Sequence, residues 1–153
     1  MPAAATVAIR RAVAADAGAI TDVYLASRRG AAPRIPPMQH TDDEVRDWFG
    51  SIVLVEYEVW VAERGGHLVG VMVMRGESVD QLYIAPDVQR RGIGARLLDV
   101  AKQRHGRLVL YTFEANEPAR DFYEKHGFTP IAFGDGTGNP EGAPDVLYEW
   151  RRR

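Results

Sequence analysis

The 153-residue chain predicts an α/β fold: one domain, residues 1–153, built on a mixed but mostly antiparallel sheet of six to seven strands. Three observations carry this reading. Short β-type runs and amphipathic helical stretches follow one another in the order β-α-α-β-β-β-α-β-α-β-β. Residues 78–112 read as strand, helix, strand, a crossover that sets two strands parallel. The length, with 46% hydrophobic and 26% charged residues, is that of one globular domain. A domain of this size buries roughly 70% of its unfolded surface and needs no staple.

"TVAIRRA" (Thr6 to Ala12) is the first strand. "AADAGAITDVYLASRR" has helical spacing, with Ala19, Ile20, Val23 and Tyr24 in one stripe and Asp16 as an acidic entry residue. Three prolines in "GAAPRIPPMQH" forbid a regular helix or central strand there. "TDDEVRDWFGSIV" resumes as a helix, with Thr41 and Glu44 at capping-box spacing. "EVWVAER" and "HLVGVMVMRG" flank Gly65-Gly66 as a hairpin, and "SVDQLYIAP" is a strand ended by Pro86. A helix opens at Gly92, with Ile93, Leu97, Leu98 and Ala101 on its apolar face. "RLVLYTFEAN" is a strand, and "EPARDFYEKHG" a helix with Pro118 near its start and Gly127 past its end. "FTPIAF" and "DVLYEWR" are the last two strands, joined by "GDGTGNPEGAP".

Composition removes several function classes. With no cysteine, disulfides, thiolate zinc sites and a cysteine nucleophile are excluded, and no metal is implied. A net charge of −2 argues against a nucleic-acid binder held by phosphate contacts. The opening "MPAAATVAIRRA" lacks the positive-then-apolar order of a signal peptide, and no run nears the roughly 20 apolar residues that cross a bilayer. These features predict a cytoplasmic protein without a membrane partner.

The informative stretch is "QRRGIGARLLDV" (Gln89 to Val100). First-turn N–H groups of a helix lack partners and carry about half a positive charge. Gly92 and Gly94 leave that turn bare, and Arg90 and Arg91 add charge. The pattern serves either a tight turn or a bound anion. It is not a P-loop, for Gly-Lys-Ser/Thr is absent, and not a dinucleotide fingerprint, for Leu97 stands where a third glycine belongs.

The chain resembles the GCN5-related N-acetyltransferases over nearly its whole length. Gln89-Arg90-Arg91-Gly92-Ile93-Gly94 matches the family's Gln/Arg-x-x-Gly-x-Gly/Ala signature. "LYIAP" resembles its pantetheine-binding strand, and "NEPARDFYEKHGF" its Asn-x-x-Ala-x-x-Phe-Tyr-x-x-x-Gly-Phe stretch. The resemblance implies helices on both sheet faces, splayed central strands and acetyl-CoA as cosubstrate. It implies a diphosphate on the amides of Arg90, Arg91, Gly92, Ile93, Gly94 and Ala95, and a pantetheine arm along Leu82, Tyr83 and Ile84. Tyr123 becomes the proton donor to the leaving sulfur, and Asn116 a coenzyme contact. Position alone also allows Tyr123 to be a core residue, in stripe with Ala119 and Phe122, and Asn116 to be a plain N-cap.

Acetyl transfer needs a neutral amine, a donor for the oxyanion and a partner for the thiolate. A tyrosine near pKa 10 protonates a thiolate near 8.5 only uphill, by roughly 2 kcal/mol. Tyr123 is therefore either tuned or only a hydrogen-bond donor, and a strand N–H near Ile84 would meet the oxyanion. Asp80, expected in phase with Leu82 and Ile84, is the first candidate for the base, with Glu77, Glu114, His40 or water as alternatives. The acceptor is a small-molecule or peptide amine, met by "SRRGAAPRIPPMQH" and by "GDGTGNPEGAPD" through Asp135, Glu141 and Asp145. Rival readings are a non-catalytic acyl-CoA sensor and transfer of a longer acyl group. Relatives often pair through their C-terminal strands, so "DVLYEWRRR" is the candidate homodimer segment.

Overall fold

A computed structural model describes residues 6–153. Seven strands form one sheet in the order β1-β2-β3-β4-β5-β7-β6. They are β1 (Val7–Arg11), β2 (Glu58–Arg64), β3 (His67–Arg75), β4 (Ser78–Ile84), β5 (Arg107–Phe113), β6 (Thr129–Gly134) and β7 (Asp145–Arg151). All neighbours are antiparallel except β4 and β5, the pair joined by the expected crossover. The hairpin turn between β2 and β3 uses Gly65 and Gly66, both at positive φ, as that turn type requires.

The helices are α1 (Ala17–Ala31), α2 (Asp42–Trp48), α3 (Leu54–Glu56), α4 (Ile93–Arg104) and α5 (Glu117–Lys125). They cover both faces. On one, α1, α2 and a π-helical stretch Phe49–Val53 bury Ile20, Val23, Phe49 and Val53 against Val59, Val61, Val71 and Val73. On the other, Leu97, Leu98 and Ala101 of α4 pack on Met72, Met74, Leu108 and Leu110. Alternation of side chains along β3, Met72 and Met74 one way and Val71 and Val73 the other, feeds both cores from one strand.

Local start signals hold. The Thr41 hydroxyl accepts from Glu44 N–H at 3.2 Å while Glu44 accepts from Thr41 N–H at 3.0 Å. This capping box fixes where the chain re-enters a helix after the proline segment. Thr41→Ala is expected to lower stability by about 1 kcal/mol, read as an earlier urea midpoint at unchanged slope.

Two expectations are corrected. β7 lies between β5 and β6 with both edges paired, and Tyr148 is fully buried. Edge-to-edge pairing of two copies therefore cannot use Asp145–Glu149, paired on both sides; among the described residues the edge strands of the sheet are β1 and β6. The second correction is Asp80. Val73 opposes Gln81 while Met74 opposes Val79, so β4 carries one extra residue, a bulge at Asp80. Val79, not Asp80, takes the phase of Leu82 and Ile84 and joins the α4-side core.

Candidate active site

The sheet parts at its centre. β4 and β5 share a single bridge, Ser78 with Val109, closed by Val109 N–H to the Glu77 carbonyl at 3.0 Å. Beyond it β5 turns to β7 and β4 to β3, and the strands diverge toward their C-terminal ends. Ala85 N–H bonds the Val69 carbonyl at 2.8 Å, so by ladder alternation the N–H groups of Tyr83 and Ala85 serve β3. Those of Leu82 and Ile84 face the gap. The Ile84 carbonyl, on the same side, accepts from the Gln89 side chain at 3.0 Å. Gln89 thus ties the strand end to the following turn.

That turn opens α4. Arg90 (φ 68) and Gly92 (φ 80) both adopt left-handed backbone, which curls successive N–H groups into a concave nest. The first helical bond is Arg96 N–H to the Gly92 carbonyl at 3.1 Å. The amides of residues 93 to 95 precede it and have no intrahelical acceptor. A Cβ at Gly94 would meet the Phe122 ring at 3.0 Å. The mouth of α4 is held against α5. A free strand edge followed by such a nest fits a thioester arm that ends in a diphosphate.

From α5 comes Tyr123, 9% exposed. Its ring packs edge-on to Phe122 (5.2 Å) and Phe128 (5.6 Å). Its neighbour in sequence, Glu124, accepts a 2.7 Å bond from Tyr148, whose oxygen accepts from Arg120 at 3.1 Å. This clamps α5 onto β7. Asn116 caps the helix by accepting from Ala119 N–H at 3.4 Å. Burial pushes the Tyr123 phenol well above its ordinary value. It therefore stays protonated, and the downward tuning that full proton transfer wanted is not there. A thiolate in the same low-dielectric space is raised as well, so the difference between the two groups narrows.

Across the gap stands Tyr83, its side chain on the other sheet face, edge-on to Tyr24 at 4.8 Å. Its hydroxyl is desolvated and pushed up by burial first, then by Tyr24; Arg28 pulls the other way, and Tyr123 adds to the rise. The Arg28 guanidinium, 8% exposed, donates to the Tyr24 hydroxyl (3.3 Å) and the Pro36 carbonyl (3.1 Å), and lies 3.8 Å from Glu141. Sequence reasoning held Arg28 only as part of the acceptor segment "SRRGAAPRIPPMQH" and did not single it out. It sits in the last turn of α1 with no motif around it, and only the folded loops enclose it.

Both predicted acceptor loops meet at one place. A cavity of about 410 Å³ is lined by Pro33 and Pro36 from the first loop, Phe113 and Glu114 from the end of β5, and Ala143 and Pro144 from the last loop. Its largely apolar wall with a few polar groups suits an alkyl amine. Of the three loop acids, Asp135 is taken up by the Thr137 N–H and hydroxyl, and Asp145 by Asn139. Glu141 alone reaches Arg28. Among the base candidates, Asp80 holds Ser78 Oγ (2.6 Å) and Arg75 (3.3 Å) near the closed apex of the gap. Glu77 pairs with Arg107 (3.1 Å), and His40 lies beside Glu44 (3.5 Å) on the surface. Glu114 lines the cavity.

Comparison with known proteins agrees with this fold. Residues 56–130 match the acetyltransferase (GNAT) domain model. The chain is 35% identical over 123 residues to the peptidyl-lysine N-acetyltransferase YiaC of Escherichia coli, covering 78% of this chain and 82% of that protein. The solution structure of apo YjaB from Escherichia coli superposes with a TM-score of 0.79 at 25% identity, covering 97% of this chain and 99% of that one. The Salmonella typhimurium acetyltransferase yncA, solved with acetyl-CoA, shares the fold at a TM-score of 0.70 and 23% identity, over 97% of this chain and 95% of that one. No helix among the described residues is long and apolar enough to cross a membrane. The chain belongs to the GNAT acetyltransferase family and is an acetyl-CoA-dependent N-acetyltransferase.

Proposed function

We propose that this enzyme acetylates the ε-amine of a lysine in a peptide or protein by direct attack on the thioester, without a covalent enzyme intermediate. The observation that carries the reading is the gap beyond the Ser78–Val109 bridge, with an amide nest at one side and an apolar cavity of about 410 Å³ at the strand ends. The printed activity of YiaC, on peptidyl lysine, supports the choice of acceptor. A cysteine-free chain working on protein lysines fits the cytoplasm.

Acetyl-CoA supplies the activated acetyl carbon. The amides of residues 90–95 hold the diphosphate, with Arg90 and Arg91 adding charge. The gap-facing backbone of Leu82 and Ile84 aligns the pantetheine arm, while that of Tyr83, expected to share in this, is taken up by β3; the Ile84 N–H donates to the oxyanion as it forms. Asn116, with its cap made, frames the coenzyme side of α5. The Tyr123 hydroxyl donates to the departing sulfur. The amine's proton leaves through Glu114 or water at the cavity, while Asp80 steadies the bulge through Ser78 and Arg75.

A lysine ammonium near pKa 10.4 is almost fully charged at pH 7. With no strong base fixed at the amine, kcat/KM on a lysine peptide is expected to rise nearly tenfold per pH unit from 7 to 9. Because burial raises the Tyr123 phenol, the proton on its oxygen persists through that window and no falling limb appears. The check is acetyl-peptide formation followed by mass spectrometry against pH. Coenzyme A binding without acetylation of any lysine peptide would remove lysine as the acceptor.

A further inference from the structure

Arg28 is a buried cation that stands behind the acceptor cavity and does not line it. Its Nε is sealed and unpaired among the described residues, so its contacts are made by Nη1 and Nη2, all with protein. Nη1 donates to the Tyr24 hydroxyl at 3.3 Å, a bond within α1. Nη2 donates to the Pro36 carbonyl at 3.1 Å and lies 3.8 Å from the Glu141 carboxylate. These two partners belong to different loops. Pro36 is on the segment after α1 and lines the cavity. Glu141 is on the segment before β7, just ahead of Ala143 and Pro144, which line it too.

Each loop is otherwise secured on its own side. The first returns to the end of α1, through Ala32 N–H to Arg29 and Arg34 N–H to Ala31. The last closes on itself through the Asn139 side chain, which bonds both the N–H and the carbonyl of Ala143. It is tied to β5 by Glu114 N–H to the Pro144 carbonyl at 2.9 Å. Among the described residues no hydrogen bond or ion pair runs directly from one loop to the other, and Arg28 reaches both. A buried guanidinium that loses one partner is left with uncompensated charge, which favours keeping both loops in place.

We propose that Arg28 is a positioning residue: with Glu141 it clasps the two acceptor loops to one another and so fixes the spacing of the cavity walls that receive the amine. Glu141 then serves the acceptor through Arg28 rather than by meeting the amine itself. A planar guanidinium satisfies a carbonyl and a carboxylate at once, which a lysine point charge does less well. This rests on the N-acetyltransferase reading and deepens it.

The experiment begins with Glu141→Gln, which keeps the side chain's shape and removes its charge. Acceptor KM on a lysine peptide is expected to rise about three- to tenfold, the range of a partly buried ion pair. Coenzyme A affinity by calorimetry should change less than twofold. Arg28→Met should raise acceptor KM likewise, Arg28→Lys should recover part of the loss, and Arg28→Met/Glu141→Gln should be no worse than Arg28→Met alone, because both remove one contact. A second readout needs no turnover. The chain has no cysteine, so Gln39→Cys and Gly138→Cys place two nitroxide labels, one per loop, at an exposed position and at one where a Cβ meets open space. Electron paramagnetic resonance should give a narrow label-to-label distance distribution that broadens when Glu141→Gln is added. If Glu141→Gln leaves either that distribution or the acceptor KM unmoved, the proposal is overturned, even where Arg28→Met fails to fold. Additive losses in the double variant overturn it as well, since Arg28 and Glu141 would then act apart. Absence of turnover on every lysine peptide removes the lysine acetyltransferase reading, and the label distances alone then decide the clasp.

Discussion

Tyr123→Phe is expected to lower kcat by about 10- to 150-fold while leaving coenzyme A affinity and the unfolding midpoint nearly unchanged. The magnitude is that of one hydrogen bond to a charge, about 1.5–3 kcal/mol. The ring stays, so the packing on Phe122 and Phe128 stays with it. What goes is a buried hydroxyl whose ionisation burial already opposes. A neutral phenol stabilises sulfur only as negative charge grows on it, in the transition state rather than in the bound thioester. The effect should therefore shrink with an acetyl thioester of a more acidic thiol, because less charge needs help. A defect that is the same for every leaving group would place Tyr123 in the core alone.

The second large effect is at the mouth of α4. Gly94→Val is expected to weaken coenzyme A binding by about 10- to 100-fold, the range that overpacking a tight contact gives. Two physical reasons for a glycine at this position make different predictions. If the bare turn serves the diphosphate's approach, a side chain at 94 blocks the ligand whatever stands behind it. The structure favours the other reason: a Cβ would strike Phe122 Cζ at 3.0 Å and lever the first turn away from α5. Phe122→Ala removes that wall. The double variant Gly94→Val/Phe122→Ala should bind coenzyme A more tightly than Gly94→Val by calorimetry, with a coupling energy of about 1 kcal/mol or more. Additive losses would return the role to the ligand. Gly92 differs: its φ of 80 is left-handed with open space around it, so its requirement is conformational.

The sequence by itself determined the elements, their order and the local shape of the turn that opens α4. Strand alternation, the Thr41–Glu44 cap, the glycine turn after "LYIAP" and the Asn116-to-Phe128 stretch are each written within about a dozen neighbouring residues. Hydrogen bonds along the backbone and the apolar period act over the same distance. Tertiary structure decided what depends on pairing across the chain. The bulge that removes Asp80 from the phase of Leu82 exists only because β3 sets the register of β4. β7 became an interior strand because β6 returned to its free edge. Arg28 drew its meaning from Pro36, Tyr83 and Glu141, residues brought to it by two loops and a strand. No local pattern marks a buried cation, because the energy of burying it is set by partners that arrive only on folding.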